Sequence, residues 1–207
     1  MRAALIDYGA GNLRSAARAF AEAGASPEIV AGPQGLRRAD AIVVPGVGAF
    51  GPAMARLWSA GLVDPIRDAA CHGTPLIGIC LGMQLLFDES DEGGTTAGFG
   101  LIPGVVRRLP DGVKVPHMGW NALEGARGAL FEGLPANPYV YFVHSYVVWP
   151  ADPRAVAAEV SYGVRFPAVV RAGAVWGLQF HPEKSSRIGA RLLRNLVAEI
   201  AAASARA

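Results

Sequence analysis

The chain has 207 residues, of which 52% are hydrophobic and 17% charged, and its 19 basic and 17 acidic side chains give a formal net charge of +2. This composition fits one domain with a large core, while the balanced charge and the lack of a Lys/Arg block argue against a nucleic-acid-binding protein. No segment approaches the ~20 apolar residues of a membrane span. The apolar run before Asp7 is too short for a signal peptide, so we expect a cytoplasmic protein without a membrane partner.

The first half of the chain alternates short apolar segments with amphipathic ones. Continuous apolar strands that alternate with helices are typical of a parallel sheet covered on both faces. Residues 89–98 (ESDEGGTTAG) are predicted to form a surface loop. We predict strands at residues 3–7, 27–30, 40–46 and 74–80, and helices at residues 12–24, 52–71 with a break near Gly61, and 81–87.

The second half is richer in strand-forming segments, at residues 105–109, 139–150, 155–160, 166–172 and 174–180. These segments predict hairpins or an antiparallel extension of the sheet. A last helix is expected at about residues 186–202, with a frayed end at AAASARA. Because no linker separates the halves, we predict a single α/β domain, residues 1–207, with a mostly parallel central sheet between two helical layers.

The pattern G-x-C-x-G at residues 78–82 follows an apolar strand and precedes a helix. This is the layout of a nucleophile elbow with cysteine in place of serine. The helix N-terminus favours negative charge on the Cys80 sulfur, and the N–H of Leu81 would face an oxyanion formed there. The alternative is a small buried cysteine at the end of a strand.

The other cysteine, Cys71, has no such context and is expected to be structural. Neither cysteine belongs to a C-x-x-C pair, so the sequence does not support a zinc site. Two cysteines in a chain of this length also argue against a disulfide framework, and this low number fits a protein of a reducing compartment.

His181 ends the last apolar strand segment and is followed by Pro182 and Glu183. In an extended segment residues i and i+2 point the same way, so Glu183 can orient the His181 ring as the third member of a triad. The alternative is that Glu183 is only a first-turn acid of the following helix. His117 and His144 lack an adjacent acid and are predicted to be structural or to line a pocket.

The sequence GVGAFG (46–51) matches the dinucleotide pattern G-x-G-x-x-G. It does not follow the first strand, Pro45 occupies the turn, and the acids about 20 positions on, Asp64 and Asp68, fall in a predicted helix. No phosphate-binding G-x-x-x-x-G-K-[ST] pattern occurs. We therefore expect no cofactor and no metal.

The segments GICLGMQ (78–84) and QFHPEKSS (179–186) together resemble the class I, or triad, glutamine amidotransferases, which have a flavodoxin-like fold. A narrower resemblance is to the glutaminase subunits of imidazole glycerol phosphate synthase, of the histidine pathway. It is carried by DYGAGNLRS (7–15), PGVGAFG (45–51), PHMGWN (116–121) and YFVHSY (141–146).

The resemblance implies that Cys80 is the nucleophile, His181 the general base and then acid, and Glu183 the group that orients the histidine. It also implies that a peptide in the loop at residues 46–48 reorients to complete the oxyanion hole, which ties glutaminase activity to the partner. The residues implied for the oxyanion hole are Gly46, Val47, Gly48 and Leu81, and those implied for the amino-acid end of glutamine are Gln84, Ser145 and Tyr146.

The resemblance further implies a heterodimer in which ammonia is channelled to a (β/α)8-barrel cyclase that forms imidazole glycerol phosphate and aminoimidazole carboxamide ribonucleotide. Trp120 and Tyr141 would lie near the partner, although they also fit as core aromatics. Three alternatives stay open: another triad glutaminase such as that of pyridoxal phosphate synthesis, a cysteine-dependent α/β-hydrolase, and a flavodoxin-like binding domain. In the hydrolases the acid precedes the histidine in the chain, whereas here Glu183 follows His181.

Overall fold

A computed structural model describes residues 1–9 and 12–204. Residues 10–11 of the DYGAGNLRS segment, and residues 205–207 of the terminus that we expected to fray, lie outside this range. The strands are β1 (Arg2–Ile6), β2 (Ser26–Val30), β3 (Ala41–Gly46), β4 (Leu76–Cys80), β5 (Phe87–Ser90), β6 (Thr96–Ala97), β7 (Ile102–Arg108), β8 (His117–Ala122), β9 (Tyr139–His144), β10 (Tyr146–Pro150), β11 (Val156–Tyr162), β12 (Val164–Ala172) and β13 (Val175–Leu178). The α-helices are α1 (Leu13–Glu22), α2 (Phe50–Ser59), α3 (Val63–Cys71), α4 (Leu81–Leu85) and α5 (Ser186–Ser204).

The central sheet has seven strands in the order β11-β12-β13-β4-β3-β1-β2. Strands β13, β4, β3, β1 and β2 pair in parallel, and β12 and β11 extend that sheet as antiparallel strands. The mixed sheet and its antiparallel extension are therefore confirmed. Every residue of β4 is buried, as expected for a strand covered on both faces.

The two faces of the sheet carry separate hydrophobic cores. Leu5 and Val43 pack on one face together with Phe20 of α1 and residues of α5. Their strand neighbours Ile6 and Val44 pack on the other face with residues of α2, α3 and α4. Because burial of each large apolar side chain contributes roughly 1.5–3 kcal/mol, these two cores hold the predicted three layers together.

The remaining strands form two smaller sheets, one in the order β10-β7-β5-β6 and one made of β8 and β9. In the β8–β9 pair His117 lies opposite His144, and Trp120 lies opposite Tyr141. The N–H of His181 donates to the carbonyl oxygen of Tyr141 at 3.0 Å. This bond connects the small sheet to the segment that follows β13.

Three local predictions are wrong, and one strand was missed. The helix after Cys80 ends at Leu85, because Phe87 begins β5 and pairs with Ile102 of β7. The predicted loop at residues 89–98 contains the end of β5 and the short β6, which pair with each other. Strand β8 was missed because Gly119 interrupts its alternation of apolar and polar residues. Cys71, which we expected to be structural, is exposed at the end of α3 and has no role in the core.

In the described part of the chain, no helix is both long enough and apolar enough to cross a membrane.

Candidate active site

Cys80 lies at a strained elbow between β4 and α4. Its backbone has φ +55° and ψ −110°, a positive φ that only Ser186 shares among the described non-glycine residues. A side chain at Gly82 would collide with the carbonyl oxygen of Val44, and one at Gly78 would collide with the carbonyl group of Gly82. The two glycines therefore let α4 pack directly against the sheet, which fixes the position of the cysteine.

The Cys80 side chain is 4% exposed, and its sulfur makes two hydrogen bonds to other described residues. The Sγ–H group donates to the Val143 carbonyl oxygen over 3.8 Å, and the Gln179 side-chain Nε2 donates to Sγ over 3.8 Å. The sulfur is thus buried but in contact with both an acceptor and a donor.

His181 and Glu183 form a buried pair. The imidazole Nδ1 lies 2.8 Å from Glu183 Oε1, and the side chains are 3% and 7% exposed. Glu183 belongs to a 3-10 turn at Pro182–Lys184 that precedes α5, so the alternative of a first-turn acid of the following helix is wrong, and its side chain contacts the histidine. Because the carboxylate accepts from Nδ1, the ring nitrogen left for chemistry is Nε2, which has no hydrogen-bond partner among the described residues.

The pKa of His181 reflects opposing effects. Burial lowers it, but hydrogen bonding and charge from Cys80 and from Glu183 outweigh burial and raise the pKa to about 9. Because Cys80 is among the causes of the raised pKa, its side chain lies near the imidazole. The structure therefore brings the sulfur, the ring and the carboxylate into one electrostatically coupled group.

Ser185 holds the backbone of this segment, and sequence reasoning did not single it out. Its hydroxyl donates to the His181 carbonyl oxygen at 2.6 Å and accepts from the Tyr141 N–H at 3.0 Å. Ser185 lies in the QFHPEKSS segment, and this position was the one sequence feature that could have indicated its role.

A pocket of about 400 Å³ opens above Cys80. It includes six of the residues implied by the resemblance, Val47, Gly48, Leu81, Gln84, Ser145 and Tyr146, together with Cys80. His181, Glu183 and Gly46 instead line a cavity of about 10 Å³ that shares Val47 with the larger pocket. The other lining residues are Glu92, Pro116, Val143, His144 and Lys184, of which the sequence analysis assigned a possible pocket role only to His144.

The loop at residues 46–48 begins where β3 ends. Gly46 is the register partner of Cys80, and Gly48 has φ +104°. A side chain at Gly46 would collide with the Tyr8 hydroxyl, which donates to the Pro45 carbonyl oxygen at 2.9 Å. Burial, then the charge of Cys80, raise the pKa of Tyr8, so this hydroxyl stays a neutral donor beside the loop.

Glu92 contributes a carboxylate to the pocket. Its Oε2 accepts the Phe50 N–H at the start of α2, at 2.7 Å. No sequence pattern indicated Glu92, because it lies in the segment between β5 and β6 that we predicted to be loop.

His117 and His144 form a second buried imidazole site. His117 Nδ1 lies 3.0 Å from His144 Nε2, and His144 Nδ1 lies 3.0 Å from the Tyr146 carbonyl oxygen. Burial lowers the pKa of His117 to about 4, and burial followed by the charge of His117 lowers that of His144 to about 3. The prediction of structural or pocket-lining histidines is confirmed.

The outer face of the β8–β9 sheet is apolar and exposed. Met118, Trp120 and Tyr139 are 63%, 51% and 58% exposed, so Trp120 is not a core residue. Lys184 Nζ lies 5.9 Å from the centre of the Tyr141 ring on the same face. Because Lys184 also lines the pocket, this face is continuous with the pocket mouth.

Comparisons with known proteins agree with the geometry. The family described as glutamine amidotransferase class-I matches residues 4–200. A protein of Moorella thermoacetica named imidazole glycerol phosphate synthase subunit HisH is 50% identical over 193 residues, covering 93% of this chain and 92% of its own. A protein of the same name from Nostoc punctiforme is 49% identical over 203 residues, covering 95% of each chain.

Solved structures support the fold alone, since their sequences are distant. A crystal structure of a glutamine amidotransferase has a TM-score of 0.76 at 24% identity and covers 96% of this chain and 98% of its own. A structure of PurLQS from Thermotoga maritima has the same TM-score of 0.76, at 21% identity and with the same coverage of 96% and 98%.

Proposed function

Because this chain belongs to the class I glutamine amidotransferases, and among them to the HisH subunits of imidazole glycerol phosphate synthase, we propose that Cys80, His181 and Glu183 hydrolyse glutamine and supply ammonia to a cyclase subunit in histidine biosynthesis. The observation that carries this proposal is the buried His181–Glu183 pair, which is coupled to the Cys80 sulfur beside a pocket large enough for an amino acid.

In the first half of the reaction, the Cys80 thiolate, whose proton is held on His181 Nε2, attacks the side-chain carbonyl carbon of glutamine. The oxyanion of the tetrahedral intermediate accepts from the Leu81 N–H and from the loop at residues 46–48. The C–N bond then breaks, and the protonated ring gives its proton to the departing nitrogen. Ammonia leaves, and a thioester remains on the sulfur.

In the second half, the neutral His181 ring takes a proton from water, which attacks the thioester carbon. The C–S bond breaks, which restores the thiolate beside the protonated ring, and glutamate is released together with one proton. Glu183 keeps the proton of Nδ1 in place throughout, so that Nε2 alone exchanges protons with sulfur, nitrogen and water.

Recognition of glutamine is assigned to the pocket walls. Gln84, Ser145 and Tyr146 stay the proposed contacts for its amino-acid end. We add Glu92, because one of its oxygens is held by the Phe50 N–H while the carboxylate keeps a negative charge beside the pocket. A carboxylate is the group best suited to the α-ammonium of the substrate.

The cyclase is proposed to dock on the outer face of β8–β9 and on the nearby loop. Met118, Trp120 and Tyr139 are exposed there, and Val47, which is 43% exposed, lies at the pocket. Exposed aromatic residues and methionine are typical of the centre of an interface. Docking at this face lets the partner act on the loop at residues 46–48 and receive ammonia at the pocket mouth as a (β/α)8-barrel subunit of a heterodimer.

We also propose that residues 1–207 form one domain, because both hydrophobic cores share the seven-stranded sheet. As a biosynthetic subunit like its relatives, the protein is proposed to act in the cytoplasm.

The test uses the complex of this chain with its cyclase. Cys80→Ala is expected to abolish glutamine-dependent formation of imidazole glycerol phosphate while ammonium salts still support it. Cys71→Ala is the matched control, since Cys71 is exposed and outside the pocket, and it should retain both activities. Glutamine-dependent turnover in Cys80→Ala would refute the proposal.

A further inference from the structure

Gln179 is a fully buried amide that the proposed mechanism does not use. It lies two residues before His181 in the segment that follows β13, and its side chain is 0% exposed. Its Nε2 donates to the Cys80 sulfur over 3.8 Å, and its Oε1 accepts from Gln84 Nε2 at 3.1 Å. Gln179 therefore links the nucleophile to a residue of the pocket wall.

The orientation of both amides follows from one backbone carbonyl. Gln84 Nε2 lies 2.9 Å from the Tyr146 carbonyl oxygen, which can only accept, so the amino group of Gln84 must face it. The second N–H of the same amino group points at Gln179, so the oxygen of Gln179 must face Gln84. The amino group of Gln179 is then left to face the Cys80 sulfur, since a flipped amide would place two donors together.

The hydrogen-bond partners of the sulfur, the Val143 carbonyl and the Gln179 amide, act differently when the sulfur loses its proton. The Val143 carbonyl oxygen accepts from the thiol but repels the anion. The Gln179 amino group donates to the sulfur in either state and interacts more strongly with the anion, because charge-assisted hydrogen bonds are roughly twice as strong as neutral ones.

From this geometry, and resting on the proposed glutaminase function, we propose that Gln179 is a positioning residue that holds and stabilises the Cys80 thiolate and connects it to substrate contact at Gln84. A substrate that contacts the Gln84 side chain contacts the same amide group that donates to Gln179 Oε1. Substrate recognition and the readiness of the nucleophile are therefore linked through three side chains.

The variant Gln179→Met tests the proposal, because it keeps the length of the side chain and removes the donor. Asn195→Leu is the matched control: Asn195 Nδ2 donates to the Leu130 and Glu132 carbonyl oxygens, so the change removes a comparable amide that neither bonds to the sulfur nor lines the pocket. Both variants are assayed as complexes with the cyclase. Alkylation of Cys80 by iodoacetamide is followed against pH by peptide mass spectrometry, which separates it from Cys71.

Loss of a hydrogen bond to a charged group is expected to lower kcat for glutamine by about 10- to 100-fold, with a smaller change in KM. The midpoint of the alkylation profile should rise by about one pH unit or more in Gln179→Met. Asn195→Leu should follow the wild-type profile, even where its melting temperature falls. If the profile of Gln179→Met coincided with that of Asn195→Leu, the inference would be overturned.

Gln84→Met gives an independent measurement if Gln179→Met does not fold. It releases the Gln179 amide, so the alkylation midpoint should move in the same direction while KM also rises, and an unmoved midpoint would contradict the link. Failure of the proposed function gives a different result, because wild type would then show no glutamine turnover or Cys80→Ala would retain it.

Discussion

Two buried imidazole sites lie beside the same pocket, and they differ in what their ring nitrogens contact. At one site His181 bonds to a carboxylate and its pKa rises to about 9. At the other, His117 and His144 bond to each other and to a backbone carbonyl, and their pKa values fall to about 4 and about 3.

The contrast shows that burial alone does not set the protonation state of a histidine. Burial opposes the charged ring at all three positions, and only hydrogen bonding and charge from Cys80 and Glu183 reverse its effect on the pKa of His181. A protonated ring suits proton transfer, whereas a pair of neutral rings with fixed tautomers suits a rigid wall. Each prediction below changes one side of this contrast.

The largest loss of activity is expected from Glu183→Gln, which replaces the charged partner of His181 with a neutral one, like the partners of His117 and His144. The amide removes the negative charge and can donate to Nδ1, which favours the wrong tautomer. Glutamine hydrolysis by the complex should fall by about 10³- to 10⁴-fold. Ammonium-dependent turnover is the internal control, and full glutamine activity would contradict the assigned role.

A second effect concerns stability above neutral pH. The folded pKa of His181 is raised from 6.5 to about 9, so the folded state binds more protons in this window and its stabilisation is lost as pH rises through about 9. Urea unfolding from pH 6.5 to 9 should therefore give a falling free energy of unfolding in wild type. The fall should be smaller in Glu183→Gln, and equal slopes would show that Glu183 does not raise this pKa.

The loss of stability at acid pH is expected to come from the site formed by His117 and His144. The folded pKa of His117 is lowered to about 4, so the unfolded state binds more protons below pH 6.5 and stability is lost as pH falls towards 4. His117→Phe removes this titration and keeps an aromatic ring on Phe142 and Tyr162. We expect about 1–3 kcal/mol lower stability at pH 7, since His144 loses a donor, but a shallower decline between pH 6.5 and 4.

The smallest effect is expected from Tyr162→Phe. The Tyr162 ring stacks on His117 at 4.0 Å between centroids, and its hydroxyl donates to the Lys114 carbonyl oxygen at 2.8 Å. Removing only the hydroxyl should cost about 1 kcal/mol of stability and leave the acid decline unchanged. A changed acid decline would mean that the hydroxyl, and not burial, controls the pKa of His117.

Much of the parallel sheet and the central group of the site could be predicted from sequence. The continuous apolar residues of β4 predict a buried strand, and the glycines of G-x-C-x-G indicate that α4 packs closely against the sheet. The pairing of His181 with Glu183 was predicted from their i, i+2 spacing in an extended segment, and the two side chains do meet, although Glu183 lies in a 3-10 turn. The choice among triad glutaminases came from the segments DYGAGNLRS, PGVGAFG, PHMGWN and YFVHSY, and the similarity to HisH subunits confirms it.

What sequence reasoning missed depends on contacts between distant segments. Strand β8 has no pattern of its own and is defined by its pairing with β9. Phe87 fits a helix by periodicity but is taken into β5 by its pairing with β7. Gln179 lies inside a recognised motif, yet its position against a sulfur 99 residues away in sequence becomes visible only when the sheet is assembled.

Strand β9 has one further consequence. The Tyr141 carbonyl oxygen accepts from the backbone of His181, and two residues on, the Val143 carbonyl oxygen contacts the sulfur of Cys80. Alternate carbonyls of an extended strand are separated by about 7 Å, a spacing that backbone geometry sets and side-chain substitutions barely alter. The positions of the base and the nucleophile therefore both depend on strand β9. A shift in the register of the β8–β9 pair would displace both carbonyl contacts together.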